Sequence, residues 1–127
     1  MTEDTTNNYN SKYSSSSNNQ NNANQNQKFY IRKMSYQGSL MINICDEELI
    51  GKNIESDTVN INITNEFFNE VVTENEITSL LKRCSIANLI GRRVVDKTLS
   101  LGLAKKNSIK IVSDIPFLMI FKFRQNY

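Results

Sequence analysis

Short apolar runs and strict alternation early in the hydrophobic part of the chain predict β-strands. Residues 29–34 and 40–45 are two strand-like apolar segments, with Gly38 between them. Two such segments joined by a short, glycine-containing connection favour an antiparallel hairpin. Residues 58–63 alternate strictly, which is typical of a strand with one buried and one solvated face. The apolar members of that strand are Val59, Ile61 and Ile63.

The pattern changes to a helical period at Thr73. Thr73 and Glu76 fit a capping box, in which a hydroxyl and a carboxylate three residues apart satisfy N–H groups at a helix start. This spacing predicts a helix with one buried face. The apolar residues that follow, spaced i, i+3, i+4 and i+7, are Ile77, Leu80, Leu81 and Cys84.

We predict a second helix over residues 85–101, ending at Gly102. At about 100° per residue, its apolar positions fall on two sides. Ile86, Ile90 and Val94 share one side, whereas Val95 and Leu99 point nearly opposite. A helix with two apolar faces lies between other elements or at an interface.

The last part of the chain returns to strand-like patterns. Residues 108–112 and 117–123 predict two strands, joined by a turn over residues 113–116. The fold class is therefore α+β. We expect a single small domain with an antiparallel or mixed sheet of about five strands and two main helices.

The N-terminal segment has a different composition. Asn, Gln, Ser and Thr account for 20 of the first 28 residues, and such a segment buries too little apolar surface to offset its ordering entropy. We interpret residues 1–28 as a disordered tail and residues 29–127 as the single domain. The alternative is that this Asn/Gln-rich tract self-associates or wraps a partner.

Composition then excludes several kinds of chemistry. The 127 residues include no His and only two Cys. A Ser-His-Asp triad, a Cys-His dyad and a His-ligated metal site are therefore impossible. We expect no metal and no cofactor, and we do not expect an enzyme, although an acid- or thiol-based one stays open. No apolar run approaches the roughly 20 residues of a membrane span, so we expect a cytoplasmic protein that does not enter a membrane.

The near-neutral total charge conceals two oppositely charged regions. Residues 46–81 contain nine acids and one base, whereas residues 82–127 contain ten bases and two acids. A cluster of cations would provide salt-dependent affinity for nucleic acid. The alternative is that these cations lie on different faces or are cancelled by the acidic region. The candidate nucleic-acid-binding residues are Lys82, Arg83, Arg92, Arg93, Lys97, Lys105 and Lys106.

Residues 45–52, with the sequence CDEELIGK, form the most distinctive motif. The pattern predicts a strand end and one helical turn, capped by Asp46, with Glu47 and Glu48 in the first turn and Gly51 at the end. Alternatively, the three adjacent acids hold a hard cation such as Mg²⁺. Cys45 is either a reactive thiol or, as we favour without a histidine base nearby, a small buried hydrophobe.

Asn88 and Gly91 interrupt an apolar run and both require a reason. Structurally, Gly91 allows close packing, and the Asn88 side chain bonds a backbone group of a neighbouring loop. Functionally, Gly91 lets a ligand or a phosphate approach, and Arg92 and Arg93 supply charge there.

Five separated elements of the chain form a recognisable set: residues 45–52, Phe67-Phe68, residues 86–91, residues 101–103 and Ile115-Pro116. Together they resemble an uncharacterised archaeal family, domain of unknown function 424. The resemblance covers nearly all of residues 29–123 and implies an archaeal cytoplasmic protein, but no activity. The chain departs from the family pattern in having Asn69-Glu70 after its aromatic pair and Phe117 where the family tends to have a histidine.

Two hypotheses follow. The first is a noncatalytic module that binds RNA or a ribonucleoprotein such as the ribosome through the cations named above, with aromatic side chains available for stacking. The second is a protein-interaction or homo-oligomerising module, in which the two-faced helix and the strand over residues 117–123 pair with a partner.

Overall fold

The computed structural model describes residues 27–122. A mixed six-stranded sheet forms its centre, built from β1 (Lys28–Tyr36), β2 (Ser39–Asp46), β5 (Glu70–Thr73), β6 (Ile86–Ile90), β7 (Lys110–Val112) and β8 (Ile115–Phe121). The strand order is β5-β1-β2-β6-β8-β7. Strands β2 and β6 are parallel, and every other neighbouring pair in this sheet is antiparallel.

Two helices lie on one face of this sheet, α1 (Glu74–Arg83) and α2 (Arg92–Ser100). Side chains from both helices and from the strands below them form the main core. We call this side of the six-stranded sheet the covered face. Its strand residues include Phe29, Ile31, Ile42, Ile44, Val72, Ala87, Leu89, Leu118 and Ile120, all buried.

A smaller layer lies against one end of the opposite side. It begins with a 3-10 turn (Glu47–Leu49) and continues into a two-stranded antiparallel sheet of β3 (Asn53–Glu55) and β4 (Asn60–Asn62). This layer supplies Leu49, Ile54, Ile63 and Phe68 to a second apolar cluster around Cys45. The rest of that side of the large sheet has no layer over it among the described residues.

The local signals read from the sequence mostly match the structure. Residues 37 and 38 form the β1–β2 turn with positive φ angles of 50° and 79°, the two-residue geometry that suits hairpins. The Thr73–Glu76 capping box is present at the start of α1. The α+β class is confirmed, with six strands in the main sheet. The predicted tail lies outside the described residues except for Gln27 and Lys28, and Lys28 already belongs to β1.

The predicted helix over residues 85–101 is wrong in its first half. Residues 86–90 form β6, and Gly91, with φ of 119°, separates it from α2. A central strand is apolar on both faces and lacks clear alternation, so its side chains mimic helical spacing. The two-faced helix therefore does not exist: α2 has one buried side, formed by Val94, Val95 and Thr98.

Smaller differences concern strand ends. The strand predicted at residues 58–63 is reduced to β4, and residues 106–108 form a 3-10 turn before β7. The β7–β8 turn is Ser113-Asp114, with both φ angles positive, so Pro116 lies inside β8. Residue 123, the predicted end of the last strand, lies outside the described residues.

Candidate functional site

The side of the six-stranded sheet that faces away from α1 and α2 is here called the open face. Two rows of directly paired residues cross four strands on it. Alternate residues of a strand point to opposite sides, so these rows share the side opposite Ile31, Ile44 and Leu89. The first row is Met34, Met41, Ile86 and Phe121, and the second is Arg32, Asn43, Asn88 and Met119.

Large apolar side chains remain accessible on the open face. Phe121 is 60% exposed and Met119 is 53% exposed, although both lie on β8 within the sheet. Met34, Met41 and Ile86 beside them are only partly buried. Exposed apolar side chains that lie together on a small protein form a candidate binding surface.

The charge on the open face has one sign. None of its positions in the six strands is Asp or Glu, because the strand acids Asp46 and Glu70 lie at covered-face positions. Its cations include Arg32 on β1 and Lys110 on β7. Two flanking cations and a carboxylate-free surface favour an anionic or electron-rich partner.

Two amides lie at the centre of this surface. Asn88 Nδ2 donates a hydrogen bond to Asn43 Oδ1 at 2.9 Å across the parallel β2–β6 pair. The prediction that Asn88 bonds the backbone of a neighbouring loop is therefore wrong, because its partner is the side chain of Asn43 on β2. Within residues 27–122, Asn88 Oδ1 and the Asn43 Nδ2 hydrogens have no further side-chain partner, so one acceptor and one donor group stay available side by side.

Arg32 is held in place at one side of the open face. Its guanidinium lies over the Phe67 ring, 4.8 Å from the ring centroid, and donates to the Phe67 carbonyl oxygen at 3.2 Å. Phe67 is itself 43% exposed. A fixed guanidinium plane beside an accessible aromatic ring is a suitable stacking surface for a flat ligand.

The CDEELIGK motif lies at the carboxyl end of β2 and has a structural role. The Asp46 carboxylate accepts hydrogen bonds from the backbone N–H groups of Arg93 (2.8 Å) and Val94 (2.9 Å) at the start of α2. It makes no side-chain cap in its own 3-10 turn. Asp46 is therefore a capping residue, as predicted, but the helix that it caps is α2 and not the turn that follows it in the sequence. Gly51, with φ of 93°, follows the turn as predicted.

Gly91 makes room for this contact. A Cβ at Gly91 would lie 2.4 Å from Cγ of Asp46, and its φ of 119° is unfavourable for other residues. The position at the α2 N-terminus where a phosphate could be received is thus filled by a carboxylate of the protein itself. The close-packing explanation for Gly91 is confirmed.

The pKa values of the two carboxyl groups at this point, Asp46 and Glu48, are shifted in opposite directions. Burial raises the pKa of Asp46 to about 6, against the opposing effects of the Arg93 and Val94 N–H groups and the Arg93 charge. The hydrogen bond from Arg93 lowers the pKa of Glu48. Because both carboxylates are directed at α2, the motif does not present the cation site considered above. No group of three or more Cys, Asp and Glu side chains in residues 27–122 could hold a metal ion.

Arg93 of α2 contacts four residues outside its own helix. It pairs with Glu48 at 2.7 Å, donates to the Lys28 carbonyl oxygen and the Gln27 side chain at 3.0 Å each, and covers the Phe29 ring at 4.7 Å. Every one of these contacts is within the protein. Arg93 therefore anchors α2 to β1 and to the 3-10 turn.

Cys45 and Cys84 are both buried free cysteines. Burial, together with the charges of Asp46 and Glu48, raises the pKa of Cys45 to about 12. Such a thiol is neutral at physiological pH and is a poor nucleophile. This environment matches the prediction that Cys45 behaves as a buried hydrophobe.

The other sequence-predicted cations are distributed over different elements. Lys97 of α2 pairs with Glu74 of α1 at 3.2 Å, and Arg92 donates to the Asp114 carbonyl oxygen at 2.8 Å. Lys82 and Arg83 are exposed at the end of α1, and Lys105 and Lys106 are exposed just before β7. Of these, only Lys105 and Lys106 are close in sequence to an open-face cation, Lys110.

Sequence reasoning missed the open-face residues as a group. Asn43 and Asn88 are 45 positions apart, and their pairing depends on the parallel register of β2 and β6. A usable signal was present, because each is a polar residue inside an otherwise apolar segment. The assignment of residues 86–90 to a helix concealed it.

Comparison with known proteins supports the fold. The sequence profile of the family described as Protein of unknown function (DUF424) matches residues 34–123. This chain belongs to the DUF424 family. A crystal structure of an uncharacterized conserved protein from Methanopyrus kandleri is similar to this DUF424 chain, with a TM-score of 0.60 at 13% sequence identity. That similarity covers 79% of this chain and 97% of the other.

No curated protein matches this DUF424 sequence. Among the described residues, no helix is long and apolar enough to cross a membrane.

Proposed function

We propose that this DUF424 protein is a noncatalytic module that binds single-stranded RNA on its open face. The observation that carries the proposal is the combination found there: no carboxylate at any strand position, exposed apolar and aromatic side chains, a central amide pair and cations at both sides. Single-stranded RNA is recognised by stacking bases on flat side chains and by hydrogen bonds to base edges. Cations beside the stacking surface contact the phosphates.

Each part of the surface has a counterpart in such a ligand. Phe121, which is 60% exposed, offers a ring for stacking, and the Arg32–Phe67 pair offers a second flat surface at the other side. The Asn88 oxygen and the Asn43 amide hydrogens, which have no further side-chain partner among the described residues, match the mixed donors and acceptors of base edges. Lys110, with Lys105 and Lys106 nearby in the chain, would contact the backbone.

The helix side supports this role less well. Arg93 and Lys97 are already in ion pairs with Glu48 and Glu74, and Arg92 is bonded to a backbone carbonyl. Releasing those contacts would reduce any gain from binding phosphate. We therefore assign the RNA contacts to the open face and give Arg93 and Lys97 structural roles.

The test is fluorescence anisotropy of labelled single-stranded RNA with the full chain over a salt series. We expect the logarithm of the affinity to fall linearly with the logarithm of salt concentration, with a slope of about −1.4 to −2.1 for two to three contacted phosphates. Phe121→Ala is expected to weaken binding about fivefold or more, since stacking contributes about 1–3 kcal/mol per base.

A matched pair of charge reversals separates this surface from the helix side. Lys110→Glu should weaken binding and flatten the salt slope, whereas Lys82→Glu on α1 should do neither. Equal losses in Lys110→Glu and Lys82→Glu would contradict an open-face site.

A second candidate function is self-association through the same face. The observation that favours it is the row Met34, Met41, Ile86 and Phe121, because flexible methionines and exposed aromatics are common at adaptable protein interfaces. Sedimentation velocity over a concentration series tests it. A mass that rises with concentration in the wild type, but not in Phe121→Arg, would support a dimer.

A further inference from the structure

A cavity of about 460 Å³ opens on the open face, near the edge strand β7. Its floor is formed by β6 and β8, which contribute Asn88, Phe117 and Met119. Ile61 of β4 lines it from the smaller layer, and Ser108 and Lys110 line it from the segment around β7. The volume lies within the range of about 300–1,000 Å³ that is typical of small-molecule sites.

The chemistry of the lining is specific. Apolar side chains predominate, no lining residue is acidic, and the polar ones are the Asn88 amide, the Ser108 hydroxyl and the Lys110 ammonium. Asn88 is fixed by its 2.9 Å bond to Asn43, so its side-chain oxygen keeps a defined orientation at the cavity floor. Such a lining suits a flat, apolar ring with a polar edge and an attached anionic group.

We propose that this cavity receives one nucleotide, with the base against Phe117 and Met119 and the phosphate at Lys110. Asn88 contacts the base edge, and Ile61 closes the space from the β4 side. This inference rests on the proposed RNA-binding function and deepens it, since it makes this cavity the position at which one base of a strand is selected.

The direct test uses mononucleotides and NMR spectra of the isotope-labelled full chain. Adenosine 5′-monophosphate or uridine 5′-monophosphate at millimolar concentration is expected to shift the signals of the Asn88 side-chain amide and the Met119 methyl group. Ribose 5-phosphate and inorganic phosphate are the controls. Shifts of equal size with ribose 5-phosphate would overturn the proposal, because they would show a phosphate site without a base.

Two exposed positions provide variants that should keep the fold. Lys110→Glu is expected to lower the affinity for the mononucleotide about five- to tenfold, since it removes a charge-assisted contact. The affinity for the uncharged nucleoside should stay within about twofold of the wild-type value. Ser108→Phe fills the cavity and should abolish both sets of shifts. Unchanged shifts in Ser108→Phe would place the ligand elsewhere and overturn the proposal.

The two levels of the hypothesis fail differently. If RNA oligonucleotides bind but mononucleotides do not shift the cavity residues, the cavity proposal is wrong and the open-face proposal stands. If mononucleotides shift the signals of the cavity residues but RNA oligonucleotides bind no more tightly than mononucleotides, the cavity is a nucleotide site and the RNA-binding proposal is wrong.

Discussion

The two faces of the six-stranded sheet come from the same strands but have different properties. On the covered face, Ile31 and Ile44 are fully buried beneath α1 and α2. On the open face, Met119 and Phe121 are more than half exposed. Alternation along a strand gives each residue one face only. The covered face therefore accounts for folding, and the open face is free to carry binding chemistry.

The largest expected effect is the difference in stability between a substitution on the covered face and one on the open face. Ile44→Ala creates a cavity at a site with 0% exposure, and we expect it to lower the free energy of unfolding by about 2–5 kcal/mol. Met119→Ala is expected to change it by less than about 0.5 kcal/mol. Urea denaturation of both variants measures the difference. Similar losses of unfolding free energy in the two variants would contradict the exposure of Met119 on the open face.

The next largest effect is expected at the contact between Asp46 and Gly91, which joins the covered face to α2. Gly91→Ala would place a methyl group 2.4 Å from Asp46 Cγ and adds strain at a positive φ. We expect a loss of about 2–4 kcal/mol from strain and overpacking together. Gly102→Ala is a control at another positive φ of 73° with no atom within 4 Å of the added Cβ. Thermal unfolding should show the smaller loss for Gly102→Ala.

The same contact predicts a pH dependence. The pKa of Asp46 is raised from 3.8 to about 6 by burial, so the folded state retains a proton there that the unfolded chain has already lost. Between pH 4 and pH 6 this group therefore makes stability fall as the pH rises, by up to about 3 kcal/mol. Asp46→Asn removes the titration.

The measurement for this prediction is the difference in unfolding free energy between wild type and Asp46→Asn across that pH window. We expect the unfolding free energy of the wild type to exceed that of the variant by the largest amount at pH 4 and by the smallest amount at pH 7. A difference that stays constant with pH, or grows as the pH rises, would contradict a raised pKa for Asp46.

Surface ion pairs should have the smallest effects. Lys33 and Glu70 lie 3.4 Å apart with both side chains about 40% exposed or more, so Lys33→Ala should cost about 0–1 kcal/mol. The Lys97–Glu74 pair is less exposed and links the two helices, so Lys97→Ala should cost somewhat more. Denaturation at low and high salt checks both values. A larger loss for Lys33→Ala would reverse the expected order.

Local sequence signals predicted much of the covered side. The β1–β2 hairpin and the Thr73–Glu76 capping box depend on residues within a few positions of each other, and both are present. The β6 strand was not predicted, because Ile86–Ile90 is partly or fully buried along its whole length. A strand of that kind has no distinctive period.

The candidate site was less accessible to prediction from sequence, since it depends on register between distant strands. Arg32, Asn43, Asn88 and Met119 form one row only because β1, β2, β6 and β8 are neighbours. Charge counting directed attention to Arg93, whose contacts prove internal. Net charge along the chain did not show which cations are already paired.

The most direct test of the central claim is NMR mapping of single-stranded RNA on the full chain, through the methyl signals of Met34, Met41 and Met119 and the side-chain amides of Asn43 and Asn88. These groups report the open face itself. We predict that RNA shifts them, while signals from α1 and α2 stay in place. Shifts confined to the helices, near Lys82, Arg83 and Lys97, would contradict the assignment of binding to the open face.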